Sequence, residues 1–183
     1  SVIEIEDGYA ITGYSNLARI DNYDAILLKT DMEGHIVWSK RIKSEEDEDL
    51  YANSLIKVDD GYVIAGSIGS DMLVLKFDLE GQKIEWQSIF GGGDDDYASS
   101  LIRVDGGYIV IGSTSSFGSG GYDAYLISID ENGNMDWGKF GEGEYHIEQE
   151  GATVHLDIDD DDESDIDVMV NLTINRMNLK VEK

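Results

Sequence analysis

The residues best suited to chemistry in this sequence are the carboxylates of one acidic run. "DIDDDDESDID", residues 157 to 167, contains eight Asp or Glu residues. Calcium takes about six to eight oxygen ligands, so such a run is able to bind it. The run lacks the spacing of an EF-hand loop, and a solvated acidic hairpin tip is the alternative interpretation. The candidate calcium ligands are Asp157, Asp159, Asp161, Glu163 and Asp165.

Two further acid-rich stretches fall where repeated units of the sequence meet. They are "KSEEDEDLYANS" at 43 to 54 and "GGGDDDYAS" at 91 to 99. Glycine-rich loops are able to hold phosphate, but adjacent aspartates repel it and no Lys follows in Walker spacing. We interpret both stretches as junction loops that could form a line of weak cation sites.

No group of residues in the sequence forms a catalytic motif. The three histidines, His35, His146 and His155, do not have zinc-ligand spacing. The chain contains no Cys, which excludes thiolate nucleophiles, disulfides and cysteine zinc sites. The sequence therefore predicts a protein that is not an enzyme, with calcium as the one candidate cofactor.

Aromatic residues near two longer loops suggest that the protein binds sugars. Tyr14 lies beside "SNLARIDNYD", and Phe117 and Tyr122 lie in "SSFGSGGYD". Aromatic rings next to Ser, Asn and Gly are able to stack on sugars. A glycan is therefore the second candidate partner.

The charge of the chain narrows the classes of partner. The 183 residues include 39 acidic and 13 basic side chains, for a formal net charge of -26. So negative a surface repels nucleic acid and anionic lipid, and no apolar run is long enough to span a membrane. Cations and basic protein faces are the favoured partners.

A threefold internal repeat supplies the elements that position these residues. "DGYAITGY" at 7 to 14 returns as "DGYVIAGS" at 60 to 67 and "GGYIVIGS" at 106 to 113. Apolar residues alternate within each copy, which is typical of β-strands. In the second copy we predict four strands, at about 54 to 59, 61 to 67, 71 to 77 and 84 to 90.

Each copy also carries an Asp-x-x-Gly sequence followed by a Trp. An Asp that accepts turn amides, with a Gly in the left-handed region, predicts a hairpin with a bulge. A large ring near the start of the fourth strand predicts a contact in the seam between units. The Asp and Gly pairs are Asp31 with Gly34, Asp78 with Gly81 and Asp130 with Gly133, and the rings are Trp38, Trp86 and Trp137.

These features predict an all-β fold of repeated four-stranded antiparallel blades, in three copies, with a divergent β tail. The copies span about 1–49, 50–95 and 96–142, and the tail spans 143–183. The repeats resemble the blade repeats of secreted bacterial and archaeal surface proteins and, more distantly, the quinoprotein-type blade. The resemblance implies a β-propeller at an extracellular or cell-surface location. The quinoprotein-type Asp-to-Gly interval is one residue longer, so its cofactor is not implied.

The tail lacks the repeat markers but still alternates in polarity, so it also predicts strands. Two interpretations stay open: a divergent fourth blade, or an element that pairs with a neighbouring subunit. The candidate interaction residues are Val168, Val170, Leu172, Ile174 and Leu179. We therefore expect an extracellular structural or interaction module that forms homo-oligomers or binds a surface protein, with a glycan- or peptide-binding propeller as the alternative.

Overall fold

The computed structural model describes residues 1–16, 22–118, 120–141, 145–150, 153–158 and 179–182. Every regular element in these ranges is a β-strand. The prediction of an all-β fold built from four-stranded antiparallel sheets is confirmed. Within the same ranges no helix has the length and apolar character needed to cross a membrane.

Twelve strands form three sheets in chain order. The first sheet contains β1 (Val2–Ile5), β2 (Gly8–Ser15), β3 (Asp24–Thr30) and β4 (Ile36–Ser44). The second contains β5 (Leu50–Val58), β6 (Gly61–Ile68), β7 (Asp71–Asp78) and β8 (Ile84–Phe90). The third contains β9 (Asp96–Val104), β10 (Gly107–Thr114), β11 (Asp123–Asp130) and β12 (Met135–Gly141).

Three further strands follow the third sheet. A hairpin joins β13 (Tyr145–Glu150) to β14 (Thr153–Ile158). The last strand is β15 (Leu179–Glu182), which pairs antiparallel with β4 and makes the first sheet five-stranded.

The predicted turns between the third and fourth strands form as expected. In the third sheet, one carboxylate oxygen of Asp130 accepts the amides of Asn132 and Asn134 at 2.9 and 2.8 Å. Gly133 has a φ of 80° and donates its amide to the Asp130 carbonyl. The strand pairing shifts register beside this turn, at Ser128 and Ile129. The sequence Asp-x-x-Gly therefore encodes a bulged hairpin, and Gly supplies the left-handed backbone at its end.

Replacing Asp130 by Ala is expected to lower the free energy of unfolding by about 1 kcal/mol, because turn amides lose a charged acceptor. These hydrogen bonds, with that from the Asn134 side chain first, hold the pKa of Asp130 below its usual value. The stabilisation is present above the unfolded pKa of about 3.9 and is lost as the pH falls through the lower folded pKa. Urea unfolding at pH 7 and pH 2.5 measures this. Glu131→Ala is the control, and an Asp130→Ala loss that persists undiminished in acid would contradict the prediction.

The second sheet lies between the other two and buries both of its faces. Its central strand β6 is buried at all eight positions. Tyr62 and Ile64 belong to a core shared with the first sheet, whereas Val63 and Ala65 belong to a core shared with the third. Successive residues of a strand point to opposite faces, so one strand serves two cores.

The repeated tryptophans sit in the seams between sheets. The ring of Trp38 lies against Tyr62 of the second sheet, with ring centres 6.2 Å apart. A β-carbon at Gly81 would lie 2.8 Å from the Trp38 ring, so only Gly fits under it. Trp86 repeats the arrangement on the third sheet, where a β-carbon at Gly133 would lie 2.5 Å from its ring. Each Trp therefore covers the turn glycine of the following unit.

Among the described residues, the two ends of the array lack this contact. In that part of the chain, nothing lies within 4 Å of a β-carbon built on Gly34, the turn glycine of the first sheet. Trp137 of the third sheet is half-buried, and the Lys139 ammonium lies 5.6 Å from its ring centre. The predicted seam contact thus forms for Trp38 and Trp86, while Trp137 contacts a lysine of its own strand.

One strand begins earlier than the sequence pattern indicated. β5 begins at Leu50, whereas the sequence pattern predicts a start near 54. The pairing of β5 with β6 skips Asn53, which lies between Ala52 and Ser54. A bulge of this kind interrupts the alternation from which a strand is predicted. The side chain of the unpaired Asn53 donates to the Ala98 carbonyl of the third sheet at 2.8 Å. The bulge therefore also links two units.

Candidate functional site

The C-terminal strand lies on the outer edge of the first sheet. Leu179 is opposite Ser44 and Glu182 is opposite Arg41, in an antiparallel register. An edge strand presents unpaired backbone groups, and an added strand satisfies them. The edge of β4 is therefore a surface that accepts a strand.

The equivalent edges of the other two sheets are β8 and β12. Among the described residues, neither has a strand on its outer side. Open edges of this kind are templates for pairing with another chain. The molecule thus shows one occupied outer edge and, in the part that the structure describes, two open ones.

Two of the sequence-predicted site residues lie in described strands. Asp157 belongs to β14, opposite His146 of β13, and Leu179 begins β15. The other candidate calcium ligands and interaction residues lie outside the described residues. They are Asp159, Asp161, Glu163, Asp165, Val168, Val170, Leu172 and Ile174.

A groove of 620 Å³ opens between the first and second sheets at their turn ends. Trp38 and Tyr62 form part of its wall. Its charged lining residues are three lysines and three acids, namely Lys29, Lys40, Lys57, Glu6, Asp7 and Glu80. Lys29 forms an ion pair of 2.7 Å with Asp7. Lys57 comes from the second sheet and Lys29 from the first, so no local motif predicts the groove. An aromatic wall beside charges of both signs is suited to a neutral polar ligand with a flat apolar face.

Tyrosines cluster at the opposite ends of the sheets. Tyr14 contacts Tyr23 and Tyr51 edge-on, with ring centres 5.6 and 4.8 Å apart. Burial raises the pKa of Tyr51, and the charge of Asp49 adds to the shift. A cluster of rings at an accessible rim offers stacking surface, with Tyr14 51 % exposed.

A second pair of tyrosines repeats part of this cluster in the third unit. Tyr97 and Tyr122 stack with ring centres 6.2 Å apart, and the Tyr122 hydroxyl donates to Asp95 at 3.0 Å. Burial is the main cause that raises the pKa of Tyr97 to about 12. Phe117 lies in a loop, as the sequence predicts, and is half-buried. Its ring packs on Tyr125 at the edge of the core between the second and third sheets, so part of its apolar surface is removed from solvent.

Two carboxylates lie at the rim where the second and third sheets meet. The Asp71 and Asp96 carboxylates both approach Gly91, at 2.3 and 2.7 Å from the position of a β-carbon there. Burial raises the pKa of Asp71, and the charge of Asp96 raises it further. Burial also raises the pKa of Glu48, in the segment before β5, and the charges of Glu46 and Asp71 add to that shift.

Asp31, Glu33 and His35 are arranged like the ligands of a metal site, but their contacts are those of a repeat turn. Ligand atoms of Asp31, Glu33 and His35 lie within 4.8 Å of one another. Asp31 accepts the amides of Glu33 and His35 at 3.0 and 2.8 Å, as Asp130 accepts those of Asn132 and Asn134. The His35 ring, the first cause, and these amides lower the pKa of Asp31. The group is accounted for by the turn.

No family model matches the chain, and no curated protein matches its sequence.

Proposed function

We propose that this chain is a non-catalytic interaction module that assembles by strand addition, with the C-terminal strand of one copy pairing with β4 of another. The observation that carries the proposal is the pairing of β15 with β4. We further propose that the three sheets are successive blades of a propeller-like array at an extracellular or cell-surface location. The packing of each sheet on the next supports the array, as does the resemblance to blade repeats of surface proteins.

The length of the connection to β15 supports exchange between copies. β12 ends at Gly141 and β15 begins at Leu179, so residues 142–178 lie between them. Exchange of an identical element between protomers is a low-cost route to assembly, because it reuses the contacts of the single chain. A connection of this length is long enough for β15 to reach β4 of a second copy.

The charges in the register of β15 and β4 are mixed. Glu182 lies opposite Arg41, whereas Lys180 lies opposite Lys43. Like charges directly opposite one another weaken a strand pair, so the pairing depends on backbone hydrogen bonds rather than on charge.

A disulfide trap distinguishes exchange from pairing within one chain. Lys43 and Lys180 are opposite each other in the register, and the native chain has no Cys. In the Lys43→Cys/Lys180→Cys variant, oxidation at increasing protein concentration is expected to give covalent dimers and longer ladders on a non-reducing gel. Light scattering of the unmodified protein should show the same species. The Lys43→Cys single variant controls for random collision.

An intramolecular disulfide in a monomeric protein would contradict the proposed assembly. If the double variant forms only an intramolecular disulfide while the protein stays monomeric at high concentration, the strand pairs within its own chain. The proposed assembly would then be wrong.

A second candidate function is the binding of a neutral glycan. The groove beside Trp38 favours it, because its aromatic wall lies beside lysines and carboxylates that are able to hydrogen-bond sugar hydroxyls. A soluble neutral glucan is expected to change the Trp fluorescence, and Lys57→Ala is expected to weaken its binding about fivefold through the loss of a hydrogen bond. Lys83→Ala, on an exposed turn residue outside the groove lining, is the control. Equal binding by both variants and the native chain would contradict this candidate.

A further inference from the structure

The junction between the second and third sheets holds buried carboxylate oxygens that no described residue neutralises. Asp96 is completely buried, and one of its carboxylate oxygens accepts the Gly92 amide at 2.9 Å and the Ser116 hydroxyl at 2.7 Å. The other oxygen is buried and has no hydrogen-bond partner in the part of the chain that the structure describes. None of the ion pairs between described residues involves Asp96 or Asp71. A buried charge without a partner is costly, so a counter-charge is expected there.

The backbone fixes these carboxylates next to each other. The Asp96 amide donates to the carbonyl of Ser70 at 2.6 Å, and Ser70 immediately precedes Asp71. Gly91 leaves room for both side chains, because a β-carbon there would lie 2.3 Å from Asp71 and 2.7 Å from Asp96. Two anions held this close raise each other's energy unless a proton or a cation lies with them.

An independent group points to the same place. Tyr125 is completely buried, and its hydroxyl has no hydrogen-bond partner among the described residues. Thr114 of β10 lies opposite both Asp96 and Asp123, and Tyr125 follows Asp123 by two residues in β11, so Asp96, Asp123 and Tyr125 lie on one face of the sheet. Asp123 adds another buried carboxylate oxygen that has no hydrogen-bond partner in the described part of the chain. A buried tyrosine oxygen normally has a partner.

From this geometry we infer that Asp71 and Asp96 bind an oxygen-preferring divalent cation, of which calcium is the representative, with the Tyr125 hydroxyl turned toward it. Calcium accepts irregular sets of carboxylate, hydroxyl and water oxygens, whereas magnesium demands near-octahedral geometry. The equivalent position in the preceding junction is Leu50, and the equivalent of Asp71 there is Asp24, which pairs with Arg41 at 3.4 Å. The site is therefore specific to the second junction and separate from the acidic run in the tail.

Calcium titration of the full chain tests the site. Calcium binding to the folded state is expected to raise the Tm by roughly 5–10 °C at about 100 times the dissociation constant. Asp96→Asn and Asp71→Asn should each remove most of this shift. Asp94→Asn is the matched control, because it makes the same charge change in the same loop on an exposed side chain. Asp71 is only half-buried, so its variant keeps the test decisive if Asp96→Asn fails to fold.

Terbium provides a direct readout. Tb3+ bound beside Tyr125 is expected to emit on excitation of the aromatic residues, and excess calcium should displace it. Emission should fall at least fivefold in Asp96→Asn and persist in Asp94→Asn. Equal Tm shifts and equal emission in all variants would place the cation elsewhere on the acidic surface and overturn the inference. Absence of any shift or emission in the native chain at millimolar calcium or micromolar terbium would overturn it as well.

Discussion

Replacing Gly66 or Gly112 by Ala is expected to lower the free energy of unfolding by about 3 kcal/mol, while Gly13→Ala is expected to change it by less than about 0.5 kcal/mol. A β-carbon at Gly66 would lie 1.8 Å from the Tyr51 carbonyl oxygen, and one at Gly112 would lie 1.7 Å from that of Tyr97. Backbone atoms cannot yield as a flexible side chain does, so the strand pairing itself must shift.

The first repeat supplies the control for this prediction. At Gly13 the nearest atom to a β-carbon would be a side-chain carbon of Ile26 at 3.9 Å. β1 begins at Val2, opposite Ile11, so no residue of that strand opposes Gly13. Urea unfolding of the three variants at equal protein concentration measures the difference. Equal losses at all three positions would show that the penalty comes from the shared sequence motif rather than from the opposing carbonyl.

Replacing Trp86 by Ala is expected to cost about 3 kcal/mol, and replacing Trp137 by Ala about 1 kcal/mol or less. Trp86 packs against the core between the second and third sheets and lies over Gly133, with Tyr108 at 6.1 Å between ring centres. Its removal leaves a cavity in a seam that two sheets share. Trp137 has the same place in its own sheet, but its ring contact among the described residues is with Lys139.

Denaturant unfolding at low protein concentration separates these two effects from any contribution of assembly. The slope of the free energy against denaturant should be unchanged in Trp137→Ala, because the same surface is exposed on unfolding. Losses of similar size for the two variants would contradict the prediction and would mean that Trp137 has a covering partner as extensive as that of Trp86.

The sequence predicts the repeated elements well, because their determinants are local. An Asp side chain that accepts amides two and four residues away, a Gly with positive φ and an alternating strand can each be recognised within about ten residues. The sequence also predicts the seam positions of Trp38 and Trp86, since a Trp recurs near the start of the fourth strand in each unit. The sequence pattern does not predict the bulge at Asn53, because an unpaired residue breaks the alternation by which a strand is recognised.

The candidate sites were harder to foresee, because they depend on which residues the packed sheets bring together. Lys29 and Lys57 meet at one groove from different sheets. Asp96 was visible as part of an acidic junction loop, but its burial beside Asp71 was not, and Leu50 at the equivalent position of the preceding unit shows how one substitution changes a junction. Phe117 lies in a polar loop sequence, yet its half-buried ring packs against the core, a contact that depends on the tertiary packing.

The contact between each ring and the next turn glycine also bears on how such a chain can change its length during evolution. The contact has a direction, from Trp38 to Gly81 and from Trp86 to Gly133. A duplicated repeat inserted at a boundary between units would bring one ring and one glycine, so this contact would form on both sides of it without any compensating mutation. Gain or loss of whole repeats is therefore a smaller evolutionary step for this architecture than the exchange of a single turn glycine.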